Sequence, residues 1–160
     1  MKYLLLLLLV TCHAFSQNNN NFTVERGKIY WEMSFKTSEK EILSLIDKNS
    51  PKVTVNKEDS TGKGSAMNCT CKDGGWYFEQ SFDFDFTVEI KDNQYTVIVS
   101  DVVFDGENDQ TMVKNKLENY FLQINQTVFH KTKKNLINMG CLDVYFQKLF
   151  KIANSEIVTK

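Results

Sequence analysis

The stretch Trp76-Tyr77-Phe78-Glu79-Gln80-Ser81-Phe82-Asp83-Phe84-Asp85-Phe86-Thr87-Val88-Glu89-Ile90 decides the fold. Trp76, Phe78, Phe82, Phe84, Phe86, Val88 and Ile90 share one parity, interrupted only by Gln80, while Tyr77, Glu79, Ser81, Asp83, Asp85, Thr87 and Glu89 share the other. Period two means a strand with one buried and one wet face. A slip of one residue would expose the whole aromatic row, so its pairing is firmly specified.

Downstream, Lys91-Asp92-Asn93-Gln94 reads as a tight turn. A two-residue loop at Asp92-Asn93 sets Ile90 opposite Tyr95, Val88 opposite Val97 and Phe86 opposite Val99. Tyr95, Val97, Val99 and Val103 then face the core, with Ile98, Val102 and Phe104 on the other side. Upstream, Asp73-Gly74-Gly75 is a hairpin signal, and a strand running through Met67 to Cys71 leads into it. Val53 and Val55 mark a short strand over 52–56. Ile29, Trp31, Met33 and Phe35 mark another over 28–36. Between these two, Ser38 with Glu41 forms a capping box for a helix over 38–48, ended by Asn49-Ser50-Pro51.

After Asp105-Gly106 the period becomes helical. Val113, Leu117, Tyr120, Phe121 and Ile124 form a stripe over 109–125, and Leu142, Tyr145, Phe146, Leu149 and Phe150 form another over 136–154. Thr127 to Lys134 is a basic connector holding His130, Lys131, Lys133 and Lys134, read as a solvated loop. The order β-α-β-β-β-β-α predicts an α+β fold: a twisted antiparallel sheet of about five strands with helices on one face.

The chain has 160 residues, 42% hydrophobic and 24% charged, with 12 Phe, 6 Tyr and 2 Trp, which excludes a disordered chain. A formal net charge of −1 provides no general attraction to nucleic acid. Lys2 followed by the Leu-rich run Tyr3 to Val10 and by Ala14-Phe15-Ser16 reads as a signal peptide over 1–16, cleaved before Gln17. Lipidation at Cys12 is the lesser alternative, because Thr11 stands where such motifs take a smaller residue. The expected organisation is a flexible leader over 17–26, an α+β core over 27–106 and a helical segment over 107–160 packed on it. No second apolar run reaches membrane length, and the expected location is periplasmic or extracellular.

Asp83 and Asp85 lie on one strand face, about 6.7 Å apart at a strand's rise. They and Asp101, whose parity points it at the core opposite Phe84, are the candidate binding residues, or the acid/base carboxylates of a hydrolase. The solvated reading of the acidic face Glu79, Asp83, Asp85 and Glu89 competes with both. Cys69, Cys71 and Cys141 read either as buried thiols or as one disulfide joining Cys141 to Cys69 or to Cys71, which leaves one thiol over. With His130 they make a formal zinc set, but the spacing matches no compact zinc site, so no metal is expected. Trp76 and Tyr77 beside the Gly-Gly turn read as core residues or as an exposed aromatic tip; alternation favours the core. No nucleophile triad, phosphate loop or dinucleotide fingerprint is present, so no catalytic residue and no cofactor is assigned.

Gly62-Lys63-Gly64, the aromatic strand ending in Phe86-Thr87-Val88-Glu89-Ile90-Lys91-Asp92, and Tyr95 through Ser100-Asp101 resemble an exported Bacteroidetes family, domain of unknown function 4468. The resemblance covers about residues 27–106. It departs in having no Trp in the first helix and in the insert Cys69-Thr70-Cys71. It implies a TATA-binding-protein-like fold and export, with no established activity or catalytic residues. Fold alone does not imply DNA binding, and an acidic sheet face opposes phosphate. The leading expectation is therefore a non-catalytic binding domain whose partner is an envelope protein or ligand. A metal-dependent or acid/base hydrolase using the strand carboxylates and a structural subunit presenting its C-terminal helices are the alternatives.

Overall fold

The computed structural model describes residues 21–108, 111–124 and 127–158; the expected signal peptide over 1–16, Cys12 within it, and residues 17–20 of the expected leader lie outside them. The elements are β1 (Phe22–Glu25), β2 (Lys28–Thr37), α1 (Ile42–Asn49), β3 (Val53–Asn56), β4 (Thr61–Met67), β5 (Phe82–Lys91), β6 (Gln94–Asn108), β7 (Thr111–Lys116), α2 (Leu117–Phe121), α3 (Lys133–Phe150) and β8 (Ser155–Ile157). All strand pairs are antiparallel, in the order β1-β2-β6-β5-β4-β3, with β7 added to β6 and β8 to β2. The fold is α+β, as expected, but the sheet has eight strands rather than about five.

The β5–β6 hairpin turns at Asp92-Asn93 with Ile90, Val88 and Phe86 opposite Tyr95, Val97 and Val99, the register read from the alternation. Phe82, Phe84, Phe86 and Val88 are buried and Asp83, Asp85, Thr87 and Glu89 face out. The buried row meets α3: Phe146 and Phe150 pack edge-on against Phe84 at 5.2 and 6.1 Å, and Phe150 lies 4.9 Å from Phe86. Trp31 of β2 rests on Phe146 and Phe150 at 5.4 and 6.1 Å. Its indole N–H donates to the Asp143 carboxylate of α3 at 2.7 Å. Gly62 and Gly64 make the aromatic row possible, because a Cβ on Gly64 would lie 2.3 Å from the Phe84 ring and one on Gly62 2.2 Å from Phe86.

Two bulges flank β5. In β4 the register shifts between Gly64 and Met67, with Ala66 at φ 50; in β6 it shifts at Asp101, also at φ 50. One extra residue reverses the parity of everything after it. Val102 and Phe104 are therefore buried and Val103 is not, the reverse of the straight alternation. At this bulge β6 also changes partner, from β2 (through Val99) to β7 (from Val103).

Several boundaries differ from expectation. Residues 22–25 of the leader form β1, because Phe22 buries its ring and the turn Arg26-Gly27, both at positive φ, folds them back on β2. The helix over 38–48 starts only at Ile42; the capping box is unformed, and Thr37 Oγ1 instead accepts the Glu39 amide at 3.1 Å. β4 ends at Met67, so Cys69 and Cys71 lie in the loop beyond it. The stripe over 109–125 resolves into β7 and the single turn α2. Leu117 and Phe121 are buried while Ile124 is exposed. Beyond residue 106, β7 and β8 join the sheet and α3 contributes Met139, Leu142, Phe146 and Phe150 to its core. The exposed side of β3 is closed by α1, whose Asp47 carboxylate accepts the Val55 amide at 3.1 Å, which removes one open sheet edge. Among the described residues no helix is long and apolar enough to cross a membrane.

Candidate functional site

The three candidate carboxylates do not converge. Asp83 accepts the backbone N–H of Ala66 at 2.9 Å and the Lys114 ammonium at 3.2 Å. Both hold its carboxyl below the usual range, the Ala66 amide most strongly. Its work is to pin the left-handed Ala66 of the β4 bulge. Asp101 is itself the left-handed residue of the β6 bulge, and Lys28 reaches it at 3.0 Å. Asp101 is therefore at the surface and not in the core, because the bulge turns it out. Lys28 in turn has its ammonium pKa raised, mostly by this hydrogen bond. Asp85 faces Lys63 at 3.6 Å. The sheet face expected to be acidic is thus laced with lysines from β2, β4 and β7, which alternation along one strand could not reveal. Among the described residues no three His, Cys, Asp or Glu side chains stand close enough to hold a metal ion, and His130 is exposed on its connector.

On that outer face Thr54, Asn56, Thr61, Lys63, Asp85, Thr87 and Ser100 line an open groove of about 420 Å³. Apart from the Lys63–Asp85 pair its polar side chains are neutral, so its chemistry is hydrogen bonding without a strong field.

The opposite situation holds in the loop from Asn68 to Gln80. Cys71 is bonded to Cys141 of α3, with Cα atoms 5.6 Å apart, and Cys69 is a buried free thiol. Four residues after Cys71, the Gly75 amide donates at 3.0 Å to Asn138 of α3, which is itself buried and donates to the Tyr77 hydroxyl. These ties convert what alternation reads as strand into a single 3-10 turn, Trp76–Glu79, and the strand proper starts at Phe82. Parity therefore fails at the start of the row. Tyr77 is buried, stacked on Tyr120 at 4.2 Å, and burial raises its hydroxyl pKa; Trp76 is 57% exposed. The indole stands almost perpendicular to both tyrosines, 6.2 and 6.3 Å from their centroids, and so lies beside the stack, not on it.

An exposed tryptophan on a loop fixed by a disulfide and a buried amide is an apolar contact whose ordering cost is met in the free protein. Neither Asn138 nor Asp143 figures in the sequence reading. Both fall on the apolar stripe of α3, Asn138 four residues before Leu142 and Asp143 three before Phe146. A polar residue at such a position must find a buried partner, and that was the available signal.

No family model matches the chain, and no curated protein does. Among solved structures it is similar to a DUF4468 family protein from Bacteroides ovatus, 12% identical with a TM-score of 0.48, covering 84% of this chain and 92% of that one. It is also similar to a TBP-like protein from Parabacteroides distasonis, 18% identical with a TM-score of 0.49, covering 80% of this chain and 91% of that one.

Proposed function

We propose that this is an exported, non-catalytic binding domain of the cell envelope that engages its partner through the tip carrying Trp76. The observation behind this reading is the 57% exposure of that indole on a loop held by Cys71–Cys141 and Asn138. Fixed tryptophans in contact surfaces are the residue type that most often carries binding energy, commonly about 2 kcal/mol or more on truncation. The disulfide supports an oxidising compartment. The dispersal of Asp83, Asp85 and Asp101 onto separate partners argues against the hydrolase.

The test is a pull-down from envelope fractions with wild-type and Trp76→Ala baits, each with a verified native fold. Loss of a wild-type binder from the Trp76→Ala bait is expected. An identical captured set with both baits, or no binder with either, refutes the assignment of the tip.

A further inference from the structure

The cysteine loop holds one thiol more than its bridge needs, and that thiol is beside the bridge. Cys69 Sγ lies 3.8 Å from the carbonyl oxygen of Cys141, so the turn of α3 carrying Cys141 faces both loop cysteines. The loop also has room to move: Asn68, Cys69, Cys71, Gly74, Gly75 and Phe78 border an open cavity of about 450 Å³. We propose that Cys69 is an alternative partner for Cys141, so that the loop has two covalent registers, Cys71–Cys141 and Cys69–Cys141, interconverted by intramolecular thiol–disulfide exchange.

The step balances internally. The Cys69 thiolate attacks Cys141 Sγ, the bond to Cys71 breaks, and Cys71 leaves as a thiolate that takes up the proton Cys69 gave to solvent. No external oxidant or reductant is consumed. The anchor moves two residues toward β4, and the segment from anchor to Trp76 lengthens by two residues, about 7 Å of extended chain. The slack falls between residue 69 and Gly75, upstream of the bonds from Asn138 to Gly75 and Tyr77. The two registers therefore differ in the path of residues 69–74.

Burial limits the rate by pushing the Cys69 thiol up to about 11. At pH 7 about one molecule in ten thousand carries the thiolate, and the exchange rate rises about tenfold per pH unit until that range is reached. Tyr145 from α3, whose hydroxyl is raised to about 12 by burial and then by Cys69, faces this thiol, and Asp73 and Glu79 of its own loop border the same cavity.

The inference goes beyond the binding reading and is tested without any partner. The oxidised wild-type chain is incubated at pH 7, 8 and 9, quenched in acid, unfolded and alkylated; fragmentation of the tryptic peptide 64–72 then places the label on Cys69 or Cys71. Label appearing on Cys71, about 100-fold faster at pH 9 than at pH 7, is the expected result, and label confined to Cys69 at every pH overturns the proposal. Cys71→Ser isolates the second register: a Cys69–Cys141 bond is expected, and two free thiols in the folded variant under oxidising conditions also overturn it. Should that variant not fold, the wild-type labelling decides alone.

Discussion

Removing the Cys71–Cys141 bridge tests whether it acts on the native tip or on the unfolded chain. In a Cys69→Ala background, which eliminates exchange, Cys71→Ala opens a loop of 70 residues. The chain-entropy treatment assigns such a loop about 4 kcal/mol at 25 °C, a large share of the roughly 5–15 kcal/mol that holds a domain together. Natively the segment retains the Asn138 bonds to Gly75 and Tyr77 and the Tyr77–Tyr120 stack, so few folded-state contacts are lost. The effect should therefore reside in the denatured state. Urea unfolding followed by tryptophan emission reads it well, because Trp31 is buried against Phe146 and bonded to Asp143. The midpoint should fall by an amount worth about 4 kcal/mol, and the slope should rise, because an uncrosslinked chain exposes more surface. A loss under about 1 kcal/mol at unchanged slope refutes the entropic account. A folded variant in which Trp76 gains or loses solvent access to a quencher refutes the claim that Asn138 suffices to hold the tip.

Gly64→Ala places a methyl 2.3 Å from the Phe84 ring and should destabilise by about 1–3 kcal/mol in the same assay; a neutral effect would show that the ring is free to shift. Asp143→Ala leaves the Trp31 indole N–H and the Asn21 amide without their acceptor and should cost about 1–3 kcal/mol, with Asp143→Asn costing less because it retains an acceptor oxygen. Asp83 has a lowered folded pKa, so its contribution is present above the ordinary carboxylate range near pH 4 and is lost as pH falls through the folded value. Asp83→Asn should thus weaken the protein by under about 1 kcal/mol at pH 7, since the group is part-exposed, and the two stability curves should converge once pH falls below the folded value. Cys69 has a raised folded pKa, so its neutral form stabilises the fold fully below about pH 9 and that contribution is lost as pH rises toward 11. Cys69→Ala should flatten alkaline unfolding over that window.

Alternation along one strand is a local property, and what depends on it was legible. The row Phe82 to Val88, its register against Tyr95 to Val99, and the face that meets the terminal helix all follow from burial at period two. The helix α3 was legible for the same reason at period 3.6, within a few residues of its ends. The edges were not. Phe22 to Glu25 and Ser155 to Ile157 are four- and three-residue strands, too short for alternation to mark them, and their pairing energy comes from β2.

The site depended most on geometry that no local pattern encodes. At Asp101 one inserted residue reverses parity, turning a carboxylate that alternation buries into a surface partner of Lys28. At Trp76 the reverse occurs: Asn138 and Cys141, more than sixty residues downstream, fold the first residues of the aromatic row into a turn and leave its largest member in solvent. The amino-acid order alone therefore determined which face of the central ribbon is oily and that helices cover it, because burial acts on each strand by itself. The placement of the bulges, the choice of Cys71 over Cys69 and the exposure of the indole were decided only when distant segments met, because each depends on a hydrogen bond or covalent bond between groups that sequence spacing does not bring together.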